Sequence, residues 1–171
     1  MTRNLINGDA KDGQTDVARP PKELLRLWLL ALTFTNMVEQ RVRTRLRVEF
    51  DVTLPRFDVM AALYDAPEEG LSMGEVSRRL KVSNGNVTGI VERLKKEGLI
   101  QRRTKPDDRR SQLVRLTDSG RTTFEEMAEA HEGWIASMLS GLSEEEVEQL
   151  KNLLGKGKRS VSTSDGKEER R

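Results

Sequence analysis

Between Leu71 and Thr117 the hydrophobic periodicity changes twice, and that change limits what the chain can fold into. Met73, Val76 and Leu80 recur at helical spacing and predict a helix from Ser72 to Leu80. The pattern breaks at Lys81–Val82. Ser83 then has the character of an N-cap, because its hydroxyl accepts an orphan backbone N–H. A second helix is predicted from Asn84 to about Glu97, burying Val87, Ile90, Val91 and Leu94. Gly98 ends it, since glycine takes the left-handed conformation that helix ends often need. Leu99–Thr104 and Ser111–Leu116 have strand character, joined by the turn Lys105-Pro106-Asp107-Asp108. Two helices with a tight turn, followed by a basic hairpin, make a winged helix-turn-helix. The fold class expected is therefore mainly α with a small β-hairpin wing.

In such a motif the polar start of the second helix, Ser83-Asn84-Gly85-Asn86, meets base edges in the major groove. Asn makes a two-pronged contact to adenine and Ser or Thr contacts several bases, while the gap at Gly85 admits a closely approaching backbone. Thr88 and Arg93 follow on the same helix. The charge pattern agrees. From Ser77 to Arg121 thirteen Lys or Arg stand against five acids, a surplus of eight, which is what phosphate neutralisation requires. A solvated basic surface on a small helical domain is the plainer account of the same charges.

The segment resembles the DNA-binding lobe of the MarR (multiple antibiotic resistance regulator) family of bacterial transcriptional regulators. The carrying residues are Asp108-Arg109-Arg110 followed by Val114-Arg115-Leu116-Thr117, similar to the family's wing signature. Leu54-Pro55-Arg56-Phe57-Asp58-Val59-Met60 also matches, as do Val87, Ile90, Val91, Leu94, Gly98, Leu99 and Ile100 at their spacing. The resemblance extends from about Leu24 to Leu154. It implies double-stranded DNA as partner, a homodimer, and a small-molecule effector bound between a helical dimerisation lobe and the DNA-binding lobe. It also implies that Arg110 enters a minor groove, where a narrow negative cleft attracts Arg, with Asp108 orienting it and Arg109 beside it. Arg102, Arg103 and Lys105 are expected to touch phosphate or solvent.

A length of 171 residues suits one compact domain. Beyond the basic segment the charge reverses: Thr122 to Leu154 holds eight Glu against Lys151 alone. A basic stretch followed by an acidic one orients the molecule, one face to DNA and the other away. There is no Cys, which excludes disulfides, thiol nucleophiles and cysteine-based redox sensing. No run approaches the ~18–20 apolar residues of a membrane span, and no apolar signal core stands at the N-terminus, so a cytoplasmic location is expected.

Residues 1–21 read as a flexible tail. Lys22 to about Asp51 predicts one long helix. Leu24, Trp28, Ala31, Thr35, Val38, Val42 and Leu46 make one stripe, and Leu27, Leu30, Phe34 and Met37 a second beside it. A helix apolar on more than one side is buried on more than one side, and a second subunit is the simplest cover. Arg41, Arg43, Arg45 and Arg47 then form either a solvated face paired with Glu39 and Glu49, or a contact for a ligand anion. Leu54–Ala66 predicts a short helix with Pro55 early in it. A helix from the Thr117 region to about Ser140 carries Phe124, Met127, His131, Trp134 and Met138 on one stripe. Ser143-Glu144-Glu145-Glu146 reads as a capping box for a final helix, which frays from Gly155. The domain plan is thus a winged-helix domain over 22–158, with 22–50 and 118–158 as dimerisation lobe and 54–117 as DNA-binding lobe. Residues 159–171 are expected to form a disordered tail.

Nothing points to an enzyme. His131 is the only histidine, and no catalytic set, Walker loop, dinucleotide fingerprint or zinc spacing accompanies it, so no catalytic residue, metal or cofactor is expected. A lone His on an apolar helix face is either a packed residue or part of a pocket. The family resemblance makes Phe34, Met37, Arg41, Phe57, Met60, His131 and Trp134 candidate ligand contacts. It also points to aromatic or phenolic acids, or their CoA thioesters, as effectors, and to repression. Three functions follow: a ligand-responsive regulator, a DNA-binding regulator without effector, and a winged-helix protein-interaction module, which the basic surplus disfavours.

Overall fold

The computed structural model describes residues 21–105 and 108–168; the side chains of Asn84, of 105–111 and of 164–168 lie outside the described set. The elements in chain order are α1 (Pro21–Phe50), α2 (Leu54–Tyr64), β1 (Leu71–Ser72), α3 (Met73–Leu80) and α4 (Asn84–Lys96). They are followed by β2 (Ile100–Lys105), β3 (Asp108–Leu116), α5 (Asp118–Met138) and α6 (Glu144–Glu168). The architecture is mainly helical with one small sheet, as the sequence predicts. The chain divides into two compact units, Met1–Met37 and Val38–Arg171.

Within the first unit the described part is the N-terminal portion of α1. Its apolar residues are uncovered in the single chain: Leu27 and Trp28 are each 59% exposed and Leu30 69%. The tail expected over 1–21 lies outside the described residues, except Pro21, which begins α1.

The second unit holds the core. Leu46, Met60, Val76, Val87, Val91, Leu94, Val114 and Met127 are fully buried, so α1, α2, α3, α4, β3 and α5 each contribute to one cluster. α3 and α4 pack through the faces the periodicity marks, though Met73, Leu80 and Ile90 are only partly buried at its edge. Ser72 caps α3 instead of belonging to it. Its hydroxyl accepts from Glu75 N–H at 3.3 Å, and Glu75 Oε2 accepts from Ser72 N–H at 2.7 Å, a reciprocal capping box. Lys81 breaks the helix in the left-handed conformation, φ 54°.

Two corrections concern the sheet. The sequence predicts a two-stranded hairpin, whereas the sheet has three antiparallel strands in the order β1-β3-β2. Leu71 pairs with Val114 and Ser72 with Leu113. A two-residue strand is too short to show the period-two alternation by which strands are read. β3 also starts at Asp108 rather than Ser111, across a charged run of low strand propensity, and Thr104 pairs with Gln112. Pro106 and Asp107 of the expected turn lie outside the described residues.

The helix ends differ by a few residues. α2 stops at Tyr64 rather than Ala66, consistent with Pro67 disfavouring a helical residue before it. α5 ends at Met138. The predicted capping box of α6 is present: Ser143 N–H donates to Glu146 Oε2 at 2.8 Å and Glu146 N–H to Ser143 Oγ at 3.2 Å. Where fraying is expected from Gly155 onward, α6 runs through that glycine to Glu168, and residues 169–171 of the expected tail lie outside the described residues. Glycine lowers helix propensity by about 1 kcal/mol but imposes no steric stop, and no proline intervenes. The hydroxyls of Ser162 and Thr163 bond back to carbonyls four residues earlier.

Candidate nucleic-acid interface

The candidate interface is built on α4. Val87, Val91 and Leu94 are fully buried and fix its inner face, while Gly85, Asn86, Thr88, Gly89 and Arg93 lie on exposed positions. Ser83 occupies the N-cap with extended backbone (φ −66°, ψ 149°), yet its side chain makes no capping hydrogen bond. This corrects the expectation that Ser83 caps the helix through its hydroxyl. The first N–H groups of α4 are thus left without that cap, in a polar, exposed segment. A Cβ built on Gly85 or Gly89 meets nothing within 4 Å, so no internal packing calls for glycine at either position. Gly89, inside the helix, costs about 1 kcal/mol against alanine, while Gly85 stands in the first turn, where the cost is smaller. The side chains of Asn84, Asp108, Arg109 and Arg110 lie outside the described residues, so the proposed wing contacts have no geometry here.

The far end of α4 is held from three directions. Gly98 follows the helix at φ 75°, as predicted for its stop. Thr117 Oγ1 donates to the Gly98 carbonyl at 2.7 Å, and Thr117 N–H donates to the Leu99 carbonyl at 3.0 Å. Gly120 sits so close to this junction that a Cβ there would lie 1.8 Å from the Leu99 carbonyl oxygen. The third tie is ionic. Arg56, buried on α2, donates through Nη2 to Glu97 at the C-cap of α4, whose other oxygen receives Arg93 Nε at 3.4 Å.

Both Glu92 and Glu97 are therefore paired within the protein, because Glu92 receives Arg102 of β2 at 2.6 Å. That corrects the expected role of Arg102 as a phosphate or solvent contact: its side chain is only 25% exposed. Arg47, Asp51, Thr53, Arg56, Gly89, Ile90 and Arg93 line a cleft of about 240 Å³ beside this end of α4. Arg56, Glu97, Thr117 and Gly120 were not legible as interface residues. An arginine on a short amphipathic helix looks like a solvated charge, and nothing local announces a partner 41 residues away.

The candidate ligand residues divide. Phe34 and Met37 belong to the first unit and are exposed. In the second unit, Phe57, His131 and Trp134 come together in one aromatic row. Ring centroids are 5.2 Å apart for Phe57–His131 and 6.3 Å for His131–Trp134. The row continues through Phe124, 5.4 Å from Phe57, to Tyr64, 4.8 Å from Phe124. Phe57 and Trp134 are buried and Met60 is fully buried in the core. Burial pushes the His131 imidazole below its ordinary value, against the opposing pull of Glu132. Of the arginine series, Arg41 is exposed and Arg43 pairs with Glu39. Arg45 is the one placed over an aromatic ring, 5.7 Å from the Trp134 centroid. At the other end Arg121 lies 4.6 Å over Tyr64, whose hydroxyl donates to Glu125 at 2.9 Å. That hydrogen bond, with some burial, raises the Tyr64 pKa.

Comparison with known proteins agrees with this geometry. The MarR family profile matches residues 50–111. The HTH-type transcriptional regulator YkoM of Bacillus subtilis is 32% identical over 128 residues, spanning 75% of this chain and 80% of that protein. A solved MarR family transcriptional regulator from Silicibacter pomeroyi is 36% identical, with a TM-score of 0.68 over 82% of this chain and 96% of that one. The S. aureus MepR–DNA complex is 26% identical with a TM-score of 0.65, covering 82% and 98%. These likenesses are to transcriptional regulators and not to enzymes. Among the described residues no helix is long and apolar enough to cross a membrane. With an uncapped, glycine-bearing helix presented beside a three-stranded sheet, and relatives of this identity and coverage, the chain belongs to the MarR family of DNA-binding transcriptional regulators.

Proposed function

We propose that the protein is a ligand-responsive repressor that binds a pseudo-palindromic operator as a homodimer in the cytoplasm. The observation that carries this is the start of α4: an uncommitted Ser83 side chain, exposed Asn86, and glycines at 85 and 89 that nothing internal requires. Ser83, Asn84, Asn86 and Thr88 then face base edges, and Gly85 allows close approach. Arg109 and Arg110 meet phosphate or the minor groove with Asp108 orienting Arg110, and Arg93 stands on the same DNA face with its charge shared by Glu97. In a two-fold assembly two such helices enter successive major grooves about 34–36 Å apart. The uncovered apolar residues of α1, and separately Leu150, Leu153 and Leu154 of α6, supply surface for a second copy; homodimers are typical of the family.

The effector is a small aromatic or phenolic acid, or its CoA thioester. Supporting this is the family resemblance together with the half-buried His131 between the buried rings of Phe57 and Trp134, and the Arg45 guanidinium over Trp134. Arg41 and Met60 of the same unit belong to the proposed set, and Phe34 and Met37 enter it by family resemblance alone. A ligand releases DNA only if it binds one subunit arrangement better than the other. The alternative is a regulator that acts by occupancy alone, and it shares every feature of α4.

Fluorescence-anisotropy titration against DNA upstream of the protein's own gene, with unrelated DNA as control, tests the first claim. Adding phenolic acids and their CoA thioesters tests the second. Specific binding that one compound releases is the expected result. Specific binding that no compound alters favours the effector-free regulator, and equal affinity for both DNAs counts against the operator assignment.

A further inference from the structure

We infer that Glu97 is an internal counter-charge that withholds Arg93 from DNA phosphate, and that Arg56 is the buried anchor keeping it there. This rests on the placement of Arg93 at the DNA face.

Arg93 stands on the same exposed face as Asn86 and Gly89, at steps of three and four. Its side chain is 70% exposed, as a phosphate contact requires, yet its Nε faces the Glu97 carboxylate. An isolated exposed pair four residues apart on a helix is too weak to hold against a phosphate. Arg56 changes that. Its side chain is only 10% exposed, it reaches Glu97 from α2, and its Nε is buried without a hydrogen-bond partner. Removing Glu97 from this guanidinium would strand a buried cation, so the carboxylate stays in place whether or not DNA arrives. A fixed negative charge then persists beside Arg93.

The consequence concerns specificity. Phosphate attraction is blind to sequence and supplies most non-specific affinity. Pairing Glu97 with Arg93 lowers the number of cations the helix offers to any duplex and leaves base contacts at its other end untouched. Glu97 is therefore a specificity-determining residue that acts by subtracting non-specific affinity, and Arg56 is a positioning residue acting through it.

The test is the salt dependence of binding to an unrelated duplex and to the best-binding upstream duplex. Each further phosphate that the protein neutralises steepens the slope of log affinity against log salt by about 0.9. Glu97→Gln should tighten binding to both duplexes, steepen the slope by about that amount, and reduce the ratio between the two. Arg93→Gln added to Glu97→Gln should return the slope to the wild-type value. Should the single variant unfold because Arg56 is left unpaired, Arg56→Met with Glu97→Gln removes the buried charge and should show the same steepening. An unchanged slope in the folded variants, or a steepening that survives loss of Arg93, would overturn the inference. So would an equal steepening in Asp51→Asn, because that would assign the effect to the charge of the neighbouring cleft. Failure of the wild-type protein to bind any duplex at low salt would instead remove the DNA reading on which this stands.

Discussion

The hydroxyl of Thr117 is bonded in both directions: it donates to the Gly98 carbonyl at 2.7 Å and accepts from Gly120 N–H at 3.0 Å. One side chain therefore closes the residue after α4 against the first turn of α5. Thr117→Val keeps the shape and removes both bonds. The expected loss is about 1–2 kcal/mol, from one N-cap and one exposed hydrogen bond. Urea unfolding at fixed protein concentration should show a lower midpoint with an unchanged slope.

Gly120→Ala should be worse. The added methyl would meet the Leu99 carbonyl oxygen at 1.8 Å, a clash with backbone that no rotamer change relieves. Overpacking of this kind costs about 1–3 kcal/mol, and relief here requires shifting the α4–β2 junction. A thermal melt beside a DNA titration checks both effects, and an unaltered melting temperature would show that the junction yields freely.

Asn86 is exposed at the open start of α4, away from the buried face that Val87 and Val91 provide. Asn86→Ala should leave stability within ~0.5 kcal/mol and reduce discrimination between operator and random DNA, by about 1–3 kcal/mol at the contacted base pair. Uniform weakening on all sequences would mark Asn86 as a phosphate-positioning residue.

His131 gives a pH dependence of definite sign. Its folded-state pKa lies below the unfolded value of 6.5, because burial disfavours the imidazolium. As pH falls through that value the unfolded chain takes a proton the folded chain resists. Stability present above it is therefore lost progressively, until the pH drops through the folded pKa. His131→Phe should flatten this fall in stability below about pH 6.5. Urea midpoints at several pH values measure it, and an equally steep fall in the variant would place the proton elsewhere.

Much of the fold is legible in the sequence because its signals are local. The periodicity of Val87, Val91 and Leu94 sets the inner face of α4, and Ser143 with Glu146 announces α6. What the sequence hides depends on partners distant along the chain. β1 exists only because Leu71 finds Val114, and Arg56 is buried only because Glu97 waits for it. Ser83 shows the opposite case: the residue type promises a cap and the backbone takes the cap's conformation, but the side chain stays uncommitted. The aromatic row is half visible, since family resemblance groups Phe57, His131 and Trp134. Arg45, which lies over Trp134, is not separable from Arg41 by spacing alone.

On the proposed DNA-binding face, the open space around Gly89 sets heat resistance against regulation. Laboratory evolution for thermal endurance alone would convert the interior Gly89 to alanine, gaining about 1 kcal/mol. On the proposed DNA-facing side of α4, that methyl group would stand between the helix and the duplex. A descendant hardened at Gly89 should survive warmer storage and make a duller switch.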